Sequence, residues 1–567
     1  MKRFFITIAC LATIFAANAQ TEVTLETAGT LKDKISSEDK YTITELKVNG
    51  PVNGTDMIML RDMAGIDLDN NVTEGKLEKL DMTGATIVEG GEPFYTDYSS
   101  MTDYYTTNNE ISDMMFYMCG ALKSFTMPAS ATAIGENAFK KCTGLYEINL
   151  SESVTEIRKG AFYGTAIKEF VFPENIMPSE EMFSNCQYLT KVTLPQNCTV
   201  IPESAFSATA IAEIDIPSTV TVIGKDAFSG CPLTSITMPE SLLEIGEMAF
   251  MGCDALEEIH FNDKLQKIGY SAFSWCENLV KADLPNSVTE MGNSVFSTCD
   301  NLTEVHLPEG LTEIVDGTFD RCDNLSKVNI PQNITRVGDF AFQNNSLITE
   351  FTFPESVVEI GENAFSYTGL TEIILPANLT TLKKGAFNGC REATRIVLSD
   401  KLTSLPQNAF NGCSKVEELT INEGVTEIGI MALLGCSSMK KLTLPSSLQS
   451  IGQMAIALND ALEEIHCKAA KPATCDKSVF ITDFGDVPTN CTLFVPEGSK
   501  ADYEAADTWS LFTKITEENT TGISVADAEG KKISARYNMA GQRISQPEPG
   551  INIVVYDDGT AEKIIVR

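Results

Sequence analysis

The feature that most constrains this chain is a phenylalanine that returns every 21 to 23 residues. It stands at Phe116, Phe139, Phe162, Phe183, Phe206, Phe228, Phe250, Phe273, Phe296, Phe319, Phe342, Phe365, Phe387 and Phe410, and Leu433 and Ile456 take the same place after it. One such unit cannot bury its own apolar face, but units stacked on one another build a continuous core. The length of 567 residues agrees, being too great for one compact core.

Each unit reads as a coil. In Leu302-Thr303-Glu304-Val305-His306-Leu307 the closing alternation presents a short strand with one face buried. Proline follows in eleven of the sixteen units, as at Pro239, Pro308 and Pro354, and ends the strand at a corner because it has no amide hydrogen to give. A second run, Val288-Thr289-Glu290-Met291 or Val425-Thr426-Glu427-Ile428, returns along the other side. Glycine follows that run in nine units, as at Gly246 and Gly361, where a turn with positive φ is expected. With strands about 4.8 Å apart, the stack would extend roughly 75 Å as a curved rod.

The stretch from Leu233 to Cys253, L-T-S-I-T-M-P-E-S-L-L-E-I-G-E-M-A-F-M-G-C, resembles the repeat of the BspA-like family of leucine-rich-repeat proteins. That family is known for I-G-x-x-A-F-x-x-C repeats in bacterial surface proteins, and the resemblance covers about residues 111–515. It implies a mainly β fold: a right-handed leucine-rich-repeat solenoid of about sixteen coils, with a surface or adhesive role. It does not imply a shared ligand.

The ends differ in character. Residues 1–19 carry Lys2 and Arg3, an apolar run and an Ala17-Asn18-Ala19 site, the parts of a cleavable export signal, so the mature chain is expected from Gln20. Cys10 lies inside that run and reads as part of it. No later stretch reaches the roughly 18 to 20 apolar residues of a membrane helix. Residues 20–110 read as an N-terminal α/β cap, with strands over 42–48 and 79–82, a helix over 56–63, and an aromatic insert at 94–105 holding Tyr95, Tyr98 and Tyr104. Those tyrosines suit either a ligand surface or capping contacts. The repeats proper run over 111–467. Residues 468–518 hold a degenerate repeat and a C-terminal cap, in which Leu493-Phe494-Val495-Pro496 keeps strand and corner and 503–512, with Trp509, suggests one short amphipathic helix. After a polar linker, residues 523–567 form a small β tail with a hairpin turn at Asp558-Gly559. In N-x-x-G-Q-R (Asn538 to Arg543), P-G-I and K-I-I-V-R it is similar to a type IX secretion sorting domain, although shorter.

Residues that suggest chemistry fall into columns. Of sixteen cysteines, eleven stand three residues after the anchor: Cys119, Cys142, Cys186, Cys231, Cys253, Cys276, Cys299, Cys322, Cys390, Cys413 and Cys436. Thr165, Thr209, Asn345, Thr368 and Asn459 hold that slot elsewhere, so it requires a small side chain able to bond turn backbone, not a disulfide or a metal. Cys467, Cys475 and Cys491 leave room for one disulfide. His260, His306 and His466 share one strand slot, and the first two, two coils apart, are too distant to hold one zinc. Beside them runs an outward column of Glu258, Lys281, Glu304, Lys327 and Glu350, with Asp283 and Asn329 in the histidine slot between. It reads as strand register and solubility or as a polar docking stripe, in either case on the concave face. Asp67 to Glu78 has the acidic spacing of a calcium loop, but Val72 stands where the loop requires glycine.

No motif for a nucleophile, zinc, phosphate or dinucleotide appears, so no enzyme and no cofactor is expected. A net charge of -36 disfavours nucleic acid and anionic membranes. The function expected is binding of an extracellular protein or polysaccharide. Glu258, His260, Lys281, Asp283, Glu304, His306, Lys327, Tyr95, Tyr98 and Tyr104 are the candidate contacts. The alternatives are a spacer that displays the N-terminal region away from the cell and, last, an accessory extracellular enzyme.

Overall fold

The recurring phenylalanines form one column through the interior of a solenoid. From Phe116 to Phe410 consecutive rings stack with centroids 5.2–6.1 Å apart, and all are buried. The computed structural model describes residues 20–482 and 490–518 and the strands Ile533–Asn538, Arg543–Ile544, Gly550–Tyr556 and Ala561–Val566. The segment 1–19 expected to be an export signal and the hairpin turn expected at Asp558-Gly559 lie outside the described residues.

Three hydrogen-bonded ladders surround the column. The first strands, such as Lys281–Asp283, Glu304–His306 and Lys327–Asn329, pair in parallel with like positions opposite. The second strands do the same, for example Val200–Ile201 through Val222–Ile223, Glu244–Ile245 and Lys267–Ile268 to Glu290–Met291. The third ladder lies on the turn that carries the anchor and was not legible in the pattern. Two residues before and two after every anchor the backbone is left-handed, as at Met114 and Met118 or Ser271 and Trp275. A left-handed residue with a side chain costs roughly 1–2 kcal/mol. Here the alternation turns the amides of the anchor and of both left-handed residues toward the next coil. They donate to its carbonyls at 2.6–3.0 Å at every step from Phe116 to Leu433. The bonds offset the strain, and the pattern holds whether the residue is Gly, Met, Lys or Trp.

Glycine at Gly246 and Gly361 does not serve a positive φ; neither residue is left-handed. Coils approach too closely there for a side chain. A Cβ on Gly246 would lie 2.7 Å from the Gly224 carbonyl carbon, and one on Gly361 2.5 Å from the Asp339 amide nitrogen. The expectation is corrected: backbone contact between coils selects this glycine.

The cysteine slot behaves as its Cys/Asn content requires. Cys142, Cys186, Cys253, Cys299 and Cys322 donate to the anchor carbonyl of the preceding coil at 2.9–3.2 Å, and Asn345 does so at 2.8 Å. Every described cysteine is a free thiol, Cys467, Cys475 and Cys491 included. Burial pushes the ladder thiols up, Cys390 to about 11 and Cys299 to about 12. Threonine is too short to reach back. Thr165, Thr209 and Thr368 instead meet the following coil's Cys186, Cys231 and Cys390 at 3.4, 3.2 and 3.3 Å.

The first-strand ladder is interrupted, and unit length accounts for four of the interruptions. The units anchored on Phe162, Phe206, Phe228 and Phe365 run 21 or 22 residues to the next anchor, and the other steps between anchors are 23. In all four short units the first strand fails to pair with the coil before it. Each lacks one residue between slot and strand, about 3.3–3.6 Å of reach, and the first strand takes up the loss while anchor and turn stay in register. Residues 213–216 and 350–353 pair with neither neighbour among the described residues.

At the N-terminal end, Glu45–Val52 lies between Thr21–Thr24 and Lys79–Asp81, and the last of these pairs with Ser124–Thr126 of the first coil. The helix Gly54–Met63 opens on a capping box at Asn53 and Asp56. Its Arg61 is wholly buried. One guanidinium nitrogen donates to the carbonyls of Met114, Met115 and Tyr117 at 3.2–3.3 Å, in the first coil of the turn ladder, which has no coil before it.

At the C-terminal end two short helices, Lys500–Ala505 and the 3-10 turn Trp509–Leu511, replace the single helix expected. Tyr503 and Trp509 are six residues apart, which one α-helix would place about 240° from each other. Both must face the last coil, where Tyr503 Oη donates to Ala469 O and Trp509 Nε1 to Ala473 O, each at 2.9 Å. The tail strands form an antiparallel sheet in the order Arg543–Ile544, Ile533–Asn538, Gly550–Tyr556, Ala561–Val566.

Candidate functional site

Each first strand turns one residue inward and presents its two flanking residues to solvent, because side chains alternate across the pleat. Hence Glu258, His260, Lys281, Asp283, His306 and Lys327 are exposed around buried Ile259, Ala282 and Val305, and Glu304 is half-buried. Register sets Lys281 beside Glu304, which sits beside Lys327, and Asp283 beside His306. Lys281 Nζ reaches Asp283 at 3.1 Å and Glu304 at 3.7 Å. His306 Nδ1 lies 2.6 Å from Asp283 Oδ1. Burial would raise the Asp283 carboxyl, but bonding to Lys281 and His306 outweighs it and holds the group below the usual carboxylate range. Among the described residues His260 has only the Glu258 carboxylate of its own strand, at 3.5 Å.

His466 departs from the surface column expected of all three histidines. It shares their strand slot, but the next strands, Thr492–Pro496 and Lys514–Glu518, cover it. Its ring stacks on Phe494 at 4.5 Å. Nδ1 meets Glu518 and Nε2 meets Glu464, each at 3.0 Å.

The aromatic insert is a hairpin of Gly90–Asp97 and Thr102–Thr106. Tyr95 is a correction to the list of candidate contacts. It is buried, 5.5 Å from Tyr104 and 5.3 Å from Tyr117, over the Arg61 guanidinium. Burial raises its phenol to about 12. Tyr104 is half-buried against the core. Tyr98 remains exposed, its hydroxyl donating to Asp69 at 3.0 Å, and Tyr105, next to Tyr104 in the chain, is exposed as well. The acidic loop nearby is bonded to its surroundings, Asp67 capping the Asn71 amide at 2.7 Å and Glu78 holding Lys123 at 2.7 Å.

The second-strand face is a separate charged surface. Arg336 reaches Glu313 and Glu359 on the neighbouring strands at 3.2 and 3.4 Å, and Lys383 reaches Glu359 at 2.9 Å. Among the described residues no group of three or more His, Cys, Asp or Glu is placed to hold a metal. No helix among them is long and apolar enough to cross a membrane. The exposed polar columns suit many weak contacts with a large partner. Desolvated acid-base chemistry would require an enclosing cavity around such groups.

A family model described as the BspA-type leucine-rich-repeat region matches residues 109–234, 221–349 and 336–463. Among solved structures, a leucine-rich repeat protein from Bacteroides ovatus is similar at 22% identity over 64% of this chain and 84% of its own, with a TM-score of 0.38. The pneumococcal vaccine antigen PcpA is similar at 21% identity over 70% and 89%, with a TM-score of 0.35. A leucine-rich cell surface protein from Faecalibacterium prausnitzii is similar at 20% identity over 64% and 84%, with a TM-score of 0.29. Likenesses at this level of superposition do not bear on partners or ligands. No curated protein matches the chain.

Proposed function

The chain belongs to the BspA-type leucine-rich-repeat family, and from that premise we propose an adhesin-like binding protein of the outer cell surface or extracellular space. In this reading the first-strand face engages a protein or a polysaccharide. The observation that carries it is the alternation of exposed and half-buried charged and polar residues along that face, in paired register from Lys281 to Lys327 and preceded by Glu258 and His260 on the strand before. Contacts that are weak singly become strong when a partner spans several coils at once. No catalytic family is indicated, and residues 20–110 and 468–518 serve as end caps. Export rests on the segment 1–19, and the tail 523–567 is its second element.

The test is an array of extracellular matrix proteins and glycans probed with the full mature chain. Beside it run a charge-reversed variant, Lys281→Glu with Glu304→Lys and Lys327→Glu, and a hairpin variant, Tyr98→Ala with Tyr105→Ala. Loss of a hit in the first variant is expected. A hit that survives it and disappears in the second would transfer the binding role to the hairpin and make the solenoid a spacer.

A further inference from the structure

Between the coils of Phe342 and Phe365 the first-strand face opens into a cleft of about 420 Å³, within the roughly 300–1,000 Å³ typical of small-ligand sites. Two departures from the regular coil meet there. The Phe365 unit is one residue short, and the strand before it carries an aromatic pair, which elsewhere only the Phe170 and Phe172 strand does: Phe351 and Phe353. Their rings pack at 4.7 Å from each other and at 4.7 and 5.2 Å from Phe365. The main chain of 350–353 is left without a strand partner on either side among the described residues. Phe351 is only partly buried, and Ile374 across the cleft is 45% exposed.

The rim is acidic. Glu350, Glu355 and Glu372 line it, and no lysine or arginine does. Glu372 has Arg395 at 3.8 Å, both side chains well exposed, whereas Glu350 and Glu355 have no ion-pair partner among the described residues. From Glu258 to Glu350 glutamate and lysine alternate along the column; Glu372 then follows Glu350 directly, so the alternation fails at an opening with an aromatic floor.

We propose that this cleft docks an extended, basic segment of a partner protein. Its main chain would bond the unpaired 350–353 strand, as added strands do. An arginine or lysine would lie over Phe351 among the three carboxylates. Charge complementarity selects this occupant: a neutral sugar could donate hydroxyl hydrogen bonds to the three carboxylates but leaves their charge uncompensated, an anionic glycan is repelled by them, and the net charge of -36 steers cationic partners inward. The proposal rests on the binding reading above and names the partner chemistry at one point of that face.

The probe is the fluorescein-labelled peptide Val-Arg-Val-Arg-Val-Arg-Val, titrated by anisotropy against the full chain, with cellohexaose titrated by calorimetry. Binding of the peptide is expected to weaken at least tenfold in Glu350→Gln with Glu372→Gln, to weaken several-fold in Phe351→Leu, and to persist in Glu290→Gln with Glu427→Gln on the second-strand face. The glutamates are exposed, and an unchanged melting temperature verifies that each variant folds. Absence of peptide binding, or equal loss in both glutamine pairs, overturns the proposal. So does cellohexaose binding that the cleft variants abolish, which assigns the site to glycan. Array hits that survive the cleft variants would leave the broader binding reading standing while this one falls. A blank array with cleft-dependent peptide binding would do the reverse.

Discussion

Along the turn edge the backbone ladder passes three bonds to the next coil at every step from Phe116 to Leu433, whereas the first-strand face of the same coils is interrupted at each shortened unit. Both edges belong to the same coils, so the contrast is not between well-folded and poorly folded regions. It separates two tasks. The anchor turn holds the stack together and tolerates no change of length. The first strand absorbs the residue lost ahead of it in each shortened unit, the second loss of the Phe162 unit falling between Glu169–Val171 and Phe183, and its openings are where the surface departs from a uniform repeat.

The largest test removes an anchor on each kind of coil. Phe296→Ala, between paired first strands, and Phe365→Ala, beside the open cleft, should each cost about 3–5 kcal/mol. Denaturant unfolding should place them within about 1 kcal/mol of each other, because the turn ladder is intact at both. A far smaller loss at Phe365 would show that the first strand, not the turn, holds a coil. Next, Arg61→Met leaves the carbonyls of Met115 and Tyr117 without their donor and that of Met114 with the Tyr117 amide alone. A loss on the order of 3 kcal/mol is expected, with hydrogen exchange accelerated in the first coils and unchanged near Phe365.

Gly292→Ala sets a Cβ 2.3 Å from the Tyr270 amide nitrogen, whereas Gly310 has open space around it. The first should cost about 1–3 kcal/mol and the second within about 0.5 kcal/mol, measured as shifts in melting temperature. Inserting one glycine between Thr368 and Gly369 restores a 23-residue unit. If length alone keeps Glu372–Ile374 from the coil before it, amide exchange there should slow and stability rise by about 0.5–1.5 kcal/mol per bond formed. Unchanged exchange would assign the opening to Phe351 and Phe353.

The smallest effect at neutral pH belongs to the thiols. Burial raises Cys299 from its ordinary 9.0 to about 12, so the fold holds its proton more tightly than the unfolded chain does. That contribution is fully present below about pH 9 and is lost as pH rises toward 12. Alkaline titration of stability should therefore fall above pH 9, less steeply in Cys299→Val than in the parent.

Anchor, slot and strand were legible because each recurs with a fixed residue class whose chemistry states its place. The cysteine column could be separated from disulfides by the Thr165 and Asn345 that interrupt it, and the bond from Asn345 to the Phe319 carbonyl bears that out. The left-handed pairs were hidden because Met114, Trp275 and Tyr367 carry none of glycine's signal. Gly246 was assigned to a turn because sequence marks the absence of a side chain without giving its cause. Tyr95 and Tyr98 are near neighbours of one type, and only the hairpin's packing separates the buried ring from the exposed one. The first-strand openings had a signal in the 21- and 22-residue steps, but their effect depends on which side of the coil yields.

The buried Arg61 has one further consequence. The amides of the anchor and of both left-handed residues point toward later coils, and the carbonyls that accept from them point toward earlier ones, so these peptide dipoles add along the rod as they do in an α-helix. They give the first coil a negative pole, and Arg61, a buried cation without a carboxylate partner among the described residues, lies against it as counter-charge. The N-terminal region is thus an electrostatic terminus as well as a steric lid, specific to that end of the stack.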